Sequence, residues 1–511
     1  MEYCLLTGAT GLLGRYLVRD LLAARVPLAV LVRPGKVQPP EDRLEAIMGR
    51  WERRVGRALP RPVVLSGDLC QPRLGLAPRE ARWVANHCRA VIHSAASMTF
   101  RPDGRGEPWQ TNVEGARNLL NFCLSARLRE FHHVSTAYVC GLREGRVLES
   151  ELDVGQKLGN VYEESKISAE KMLRQAGFES LTVYRPASIV GDSQDGFTSS
   201  YHGFYLPLQL AYVFAGELPT EKMDQRFSAG LGLAGHEGKN FVPVDWVAAA
   251  ITYLVTHPEC HGQTYHIASP KPVTVQLFQR VVQDAIRQFT PHRVTKQASE
   301  KDLATYERLF HDQMLIYRSH WRDDPTFDLT NTVRALPHLA CPEMDYDLLM
   351  RVARYPIEKN FGLSKYEAVE RPIHAQAYLD RFLSRPADPH DGRQGHNGQQ
   401  GHDGQQAHNG EQGHDGQRVH DGRQCVALQV NGSGGGQWHL HVRDGVITAA
   451  DWGLGPDDAP RCYLSSATFA ALTHGEITVA QSINAGQVFL RAPRGIQQEV
   501  VRVLEQLVST V

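Results

Sequence analysis

The feature that most restricts this chain is a glycine-punctuated turn, Gly8-Ala-Thr-Gly11-Leu-Leu-Gly14, placed directly after the apolar run Tyr3 to Thr7. An apolar run that breaks at glycine and resumes as Leu13, Leu17, Leu21 and Leu22 at helical spacing predicts a strand, a tight turn and a helix. Glycine is needed there where the turn is tight, where backbone approaches a phosphate, and where helix packs on strand. The amide groups opening such a helix favour negative charge. The turn therefore predicts a dinucleotide pyrophosphate site built from Gly8, Thr10, Gly11, Leu12, Leu13 and Gly14.

The strand-then-helix pattern repeats. Val/Ile/Leu-rich runs at 28–32, 63–65, 90–93, 131–135 and 181–184 are separated by longer helical patterns, which predicts a parallel, doubly wound α/β sheet over residues 1–270. Residues 271–385 read as a mostly helical extension, from helical spacing in Val275 to Phe289 and Tyr346 to Arg354. A length of 511 residues exceeds what one core supports, so further domains are expected. Residues 386–425 repeat a six-residue unit from His390, His396, His402, His408, His414 and His420. With almost no apolar side chains, the tract cannot offset its ordering entropy and reads as a plain flexible linker, with adventitious metal affinity as the competing reading. Globular patterning resumes at 426–511, with alternation at Trp438 to Val442, a turn at Asp444-Gly445 and a closing helix near Ile496 to Leu507; a small α+β domain is expected.

Composition removes several function classes. A formal net charge of -1 offers no broad basic field, so nucleic acid is not an expected partner. Nine scattered cysteines without a C-x-x-C pair read as reduced thiols, and no metal-ligand spacing stands out. No apolar run approaches the roughly 20 residues of a membrane span, and no secretory leader is visible, so a cytoplasmic location is expected.

The cofactor's identity is read from the second strand. An acid at its end would hold ribose hydroxyls, yet this strand ends Val32-Arg33-Pro34 with Lys36 close behind. Cations at that point predict a 2′-phosphate and hence NADP(H). Asp68 and Leu69 close the third strand, where an acid can meet the adenine amino group. Ser94, Ala95 and Ala96 end the fourth with side chains small enough for a close cofactor.

Tyr162 and Lys166 stand four apart in a helical pattern and project from one face. An ammonium beside a phenol stabilises phenolate and lowers the tyrosine pKa, which suits acid/base catalysis. The preceding strand ends Ser135-Thr136, where the Thr136 hydroxyl is placed to orient a substrate carbonyl, with Ser135 as the competing assignment.

Taken as an ordered set, Thr7 to Gly14, Ser66 to Leu69, His93 to Ala96, Asn112-Val-Glu-Gly115, Ser135-Thr136 and Tyr162 to Lys166 resemble the extended short-chain dehydrogenase/reductase family. That resemblance implies a Rossmann domain, catalytic Thr136, Tyr162 and Lys166, a supporting Asn112, and a homodimer. Leu31-Val-Arg-Pro34 with Arg43, Val63 to Leu76, Asn160 to Lys166, Tyr184 to Asp192 and Asn240 to Asp245 look like the thioester reductase and fatty acyl-CoA reductase branch. The same resemblance adds Pro186 and Ile189 to the cofactor set. It implies NADPH-dependent reduction of an acyl-CoA or carrier-protein-bound thioester, supplied in trans, to aldehyde or alcohol. Two rival readings stand beside it: a hydroxyl/ketone oxidoreductase or epimerase acting on a steroid-like or sugar-nucleotide substrate, and a non-catalytic nucleotide-sensing lipid-binding protein. Trp321 to Asp328 reads equally as a substrate-facing element or a structural cap. The last domain resembles the sterol carrier protein type, which implies a lipid ligand.

Overall fold

The computed structural model describes residues 2–35, 38–100, 102–214, 234–290, 319, 322–359, 361, 375–384, 423–431, 436–443, 445–453, 459–484, 488–492 and 495–508. The chain divides into two compact units, Met1–Trp51 with Arg61–Ala368, and Glu52–Pro60 with Val369–Val511.

The first unit is built on seven parallel strands: β1 (Tyr3–Thr7), β2 (Leu28–Val32), β3 (Val63–Ser66), β4 (Cys88–His93), β5 (Glu130–Val134), β6 (Ser180–Pro186) and β7 (Thr264–Ile267). Their spatial order is β7-β6-β5-β4-β1-β2-β3. All five side chains of β2 are buried, as expected of a strand covered by helices on both faces. The covering helices include α1 (Leu12–Ala23), α2 (Pro40–Val55), α3 (Pro78–His87), α4 (Ala116–Ser125) and α5 (Val161–Arg174). This is the expected doubly wound, Rossmann-like sheet. Its chain order reverses between β1 and β4, so a crevice opens at their carboxyl ends, where ligands bind in such sheets.

Among its described residues the extension is mostly helical, with short strands at Val273–Thr274 and Thr326–Phe327. Helices α6 (Tyr205–Phe214), α7 (Val275–Phe289) and α8 (Tyr346–Glu358) share an apolar core that includes Phe204, Leu208, Phe278, Val281, Leu349 and Val352. Residues 386–422 of the histidine-glycine tract lie outside the described residues, while Arg423 to Cys425 already belong to a strand.

The second unit is α+β. Strands β8 (Arg423–Asn431), β9 (Gly436–Arg443), β10 (Val446–Trp452), β11 (Arg461–Ser465) and β12 (Val488–Arg491) form one sheet in the order β10-β9-β8-β11-β12. Only the central β8–β11 pair is parallel. Its core holds Trp438, Leu440, Leu464, Phe469, Val503 and Leu507, and also Leu379 from the helix Ala375–Leu383. That helix therefore belongs with the sheet that follows the tract and not with the extension. Among the described residues no helix is long and apolar enough to cross a membrane.

Candidate active site

The glycine turn forms for steric reasons that the coordinates make explicit. Gly8 has φ +77°, and a Cβ there would lie 2.6 Å from the Ala95 nitrogen. A Cβ on Gly14 would lie 2.0 Å from the Gly8 oxygen. Gly11 donates its N–H to the Gly8 oxygen at 2.9 Å and caps α1 without a side-chain partner. The first amides of α1 thus open on a cradle that side chains would fill. Such a cradle accommodates a pyrophosphate.

A cavity of about 480 Å³ extends from this turn. It is lined by Gly8, Thr10, Gly11, Leu12, Leu13, Gly14, Ser94, Ala96, Thr136, Tyr162, Lys166, Pro186 and Ile189, which brings most of the sequence-predicted residues to one place. Met98, Phe100, Phe204 and Phe241 supply apolar wall beyond them. Arg33, Asp68, Leu69, Ala95 and Asn112 do not line it. Lys36 lies outside the described residues.

Each predicted residue away from the cavity has a definite position. Arg33 is exposed at the end of β2, and its carbonyl accepts from Arg43 Nη1 at 2.7 Å. Asp68 Oδ1 accepts from the Cys70 amide at 3.0 Å, while Leu69 is buried in the core. Ala95 donates its N–H to Thr7 Oγ1 at 3.3 Å. Asn112 is buried and spans two segments: Oδ1 accepts from the Ser97 amide at 2.7 Å, and Nδ2 donates to Ser165 Oγ at 2.9 Å. It fixes the loop after β4 against α5.

Thr136 stands two residues beyond the end of β5 and caps the turn Ala137–Cys140, its Oγ1 accepting from the Tyr138 amide at 3.3 Å. Helix α5 starts where it does because Asn160 Oδ1 accepts from the Glu163 amide at 3.0 Å while Glu163 Oε2 accepts from the Gly159 amide at 2.7 Å. That start turns Tyr162 and Lys166 into the cavity, and both are buried. The Tyr162 phenol hydrogen-bonds Thr136, and the Phe100 ring lies 5.3 Å from its own.

The electrostatics depart from the sequence expectation. Burial pushes the Tyr162 phenol above its ordinary range, and the bond with Thr136 only partly opposes this. Lys166 does not lower it: its Nζ donates to the Val134 carbonyl at 2.8 Å. Burial pushes Lys166 itself down to about 8, against the raising influence of Glu170. The two groups share a desolvated pocket, so burial governs both.

Sequence reasoning gave no site role to four side chains. Arg43, in the first turn of α2, donates to Thr10 Oγ1 at 3.1 Å as well as to Arg33, joining the glycine turn to the end of β2. Tyr138 and Lys239 line the cavity. Asp324, from the stretch Trp321 to Asp328, accepts from Tyr138 Oη at 3.0 Å and from the Asn240 amide at 2.8 Å, and it pairs with Lys239 at 2.5 Å. No local signal marks these contacts, because each joins segments distant in sequence.

The Male sterility protein family matches residues 6–251 of the chain. The nonribosomal peptide synthetase FrzA of Cladobotryum sp is 27% identical over 387 residues, covering 68% of this chain and 35% of that protein. The L-2-aminoadipate reductase large subunit of Penicillium chrysogenum is 27% identical over 288 residues, covering 50% of this chain and 18% of that protein. The chain thus spans about a third or less of the length of these curated relatives. Among solved structures, the terminal R domain of the myxalamid PKS-NRPS biosynthetic pathway is 26% identical, with a TM-score of 0.56, covering 71% of this chain and 92% of that chain. Over its first unit the chain is thus similar to reductases, and its sheet is Rossmann-like.

Proposed function

We propose that the chain reduces an acyl thioester, presented on a carrier protein or as a CoA ester and supplied in trans, at the expense of NADPH. The observation that carries this reading is that Thr136, Tyr162 and Lys166 share one cavity with the glycine turn and with an apolar wall of Phe100, Ile189, Phe204 and Phe241. The similarity to reductases and to an R domain supports it.

The pyrophosphate would rest on the Gly8 to Gly14 turn, and Arg33 and Arg43 would face a 2′-phosphate. When bound, the cofactor supplies a hydride. Thr136 and Tyr162 donate to the thioester oxygen, which polarises the carbonyl and stabilises the charge that develops as the carbon becomes tetrahedral. A phenol held above its ordinary range is fully protonated at neutral pH, so Tyr162 has a proton to give that oxygen. The Lys166 ammonium, one helical turn on and bonded to the Val134 carbonyl, would hold the cofactor's ribose. Collapse of the hemithioacetal breaks the carbon–sulfur bond and releases a thiol and an aldehyde; a second round of reduction yields the alcohol.

NADPH consumption by the full chain with long-chain acyl-CoA and acylated carrier protein, set against ketones and sugar nucleotides, tests the reading. Thioester turnover with an aldehyde or alcohol found by mass spectrometry is the expected result. Turnover of ketones alone overturns it. Full retention of biological activity by Tyr162→Phe would favour a nucleotide sensor over an enzyme.

Two further parts of the proposal rest on resemblance and composition. An acyl or sterol ligand is assigned to the second unit, testable by displacement of a fluorescent fatty acid from the full chain. A cytoplasmic homodimer is assigned to the whole, in keeping with nine free thiols; sedimentation of the purified chain checks the dimer.

A further inference from the structure

Glu130, His132 and His261 bring one carboxylate and two imidazoles together in the first unit, with one candidate ligand atom from each within 4.8 Å of the others. Glu130 opens β5 and His132 stands two residues on, so both project from the same face of the strand. His261 comes from the turn that leads into β7. The cluster lies at the amino end of β5, opposite the end that carries Thr136.

Hydrogen bonds orient all three groups. His261 Nε2 is 3.1 Å from the Val255 carbonyl. A carbonyl only accepts, so Nε2 carries a proton and Nδ1 is turned the other way. That nitrogen faces Glu130 Oε2 at 3.8 Å, too long for a hydrogen bond. His132 meets the Tyr184 phenol oxygen through Nδ1 at 2.9 Å, which leaves Nε2 as its ligating atom. Arg89 holds the other Glu130 oxygen, Oε1, at 2.9 Å, so Oε2 is turned to the histidines.

Electron-rich atoms gathered at a spacing beyond hydrogen-bond length call for a bridging positive centre or a water. Two imidazoles, each anchored through its second nitrogen, reproduce the outer support that fixes histidine ligands around a metal. We propose that Glu130, His132 and His261 bind a divalent cation of the zinc class, with water completing a tetrahedral set. Ligand atoms about 2.1 Å from zinc lie roughly 3.4 Å apart, so small side-chain rotations close the site. The bound ion fastens β5 to the turn before β7 across the intervening β6. This inference is independent of the thioester reading.

The histidine tract would obscure the measurement, so the test uses the full chain with His390, His396, His402, His408, His414 and His420 replaced by asparagine. Equilibrium dialysis against Co²⁺ and Zn²⁺ is expected to retain one equivalent, with visible absorption from the cobalt form and a melting temperature raised by zinc. On that background His261→Gln, which keeps a donor toward Val255, and Glu130→Gln, which keeps an acceptor for Arg89, are each expected to weaken retention at least tenfold. Each substitution keeps the side chain's existing hydrogen bond, His261 toward Val255 and Glu130 toward Arg89. Failure to retain any cation, or retention that neither substitution changes, overturns the proposal and leaves a bridging water or a simple ion pair.

Discussion

Arg185 and Glu170 form a buried ion pair one helical turn beyond Lys166, with Nη2 donating to Oε1 at 2.6 Å and Nε donating to Oε2 at 3.2 Å. Arg174 Nη2 adds a bond to the same Oε1 at 2.8 Å. Arg185 also reaches the Glu151 carbonyl at 2.7 Å, so the pair locks α5 to β6 and to the loop ahead of α5. Removing one partner strands a buried charge: Glu170→Gln is expected to lose about 3–5 kcal/mol in denaturant unfolding, and Glu170→Gln with Arg185→Met to recover part of it. Burial raises the Glu170 carboxyl, but Arg185 outweighs it and holds the group below its ordinary value. Its contribution is therefore present above the ordinary carboxylate range and is lost as pH falls through the depressed folded value.

The reaction should depend on the charge of Lys166. With its folded value near 8, the ammonium is present below that pH and lost above it. Turnover is expected to decline as pH rises through about 8, far below the ordinary lysine range. Stability moves the other way: between about 8 and the unfolded value of 10.5 the unfolded chain holds a proton that the folded chain has released, so the fold gains stability with rising pH. Parallel pH series of initial rate and urea midpoint check both slopes.

Tyr162→Phe removes the proton donor and is expected to lower kcat by about 10²- to 10⁴-fold with nucleotide affinity retained. Thr136→Ala leaves the phenol but removes the hydrogen bond that partly offsets its upward shift. A smaller loss of kcat is expected, measured by single-turnover rates alongside nucleotide titrations.

Arg43 bridges Thr10 and Arg33 at the point where a 2′-phosphate is proposed. A hydrogen bond to a charged group is worth about 1.5–3 kcal/mol. Arg43→Ala is therefore expected to reduce the preference for NADPH over NADH by roughly ten- to a hundredfold. Fluorescence titration with both nucleotides reads the ratio, and an unchanged ratio would place Arg43 in a purely structural role.

Much of the fold was legible because its signals are local. The strand, glycine turn and helix at Tyr3 to Ala23 follow from periodicity and from the steric demands on Gly8 and Gly14, which the clash distances make plain. The same holds for Tyr162 and Lys166, whose spacing puts them on one helical face. Asp68 and Leu69 were less legible: a strand-end acid serves equally to order the turn after it, and here Asp68 binds the Cys70 amide.

By itself, the sequence determined the alternation of strands and helices, the order of the parallel sheet's building blocks, and the meeting of Thr136, Tyr162 and Lys166, because these rest on short-range spacing and strand-end position. Tertiary structure alone decided the rest. The reach of Arg43 to Thr10, the bracing of Tyr138 and Lys239 by Asp324, and the convergence of Glu130, His132 and His261 all join segments far apart along the chain. The pKa shifts belong with them. Spacing placed Lys166 beside Tyr162, but desolvation, a property of the folded interior, moved the phenol up and the ammonium down.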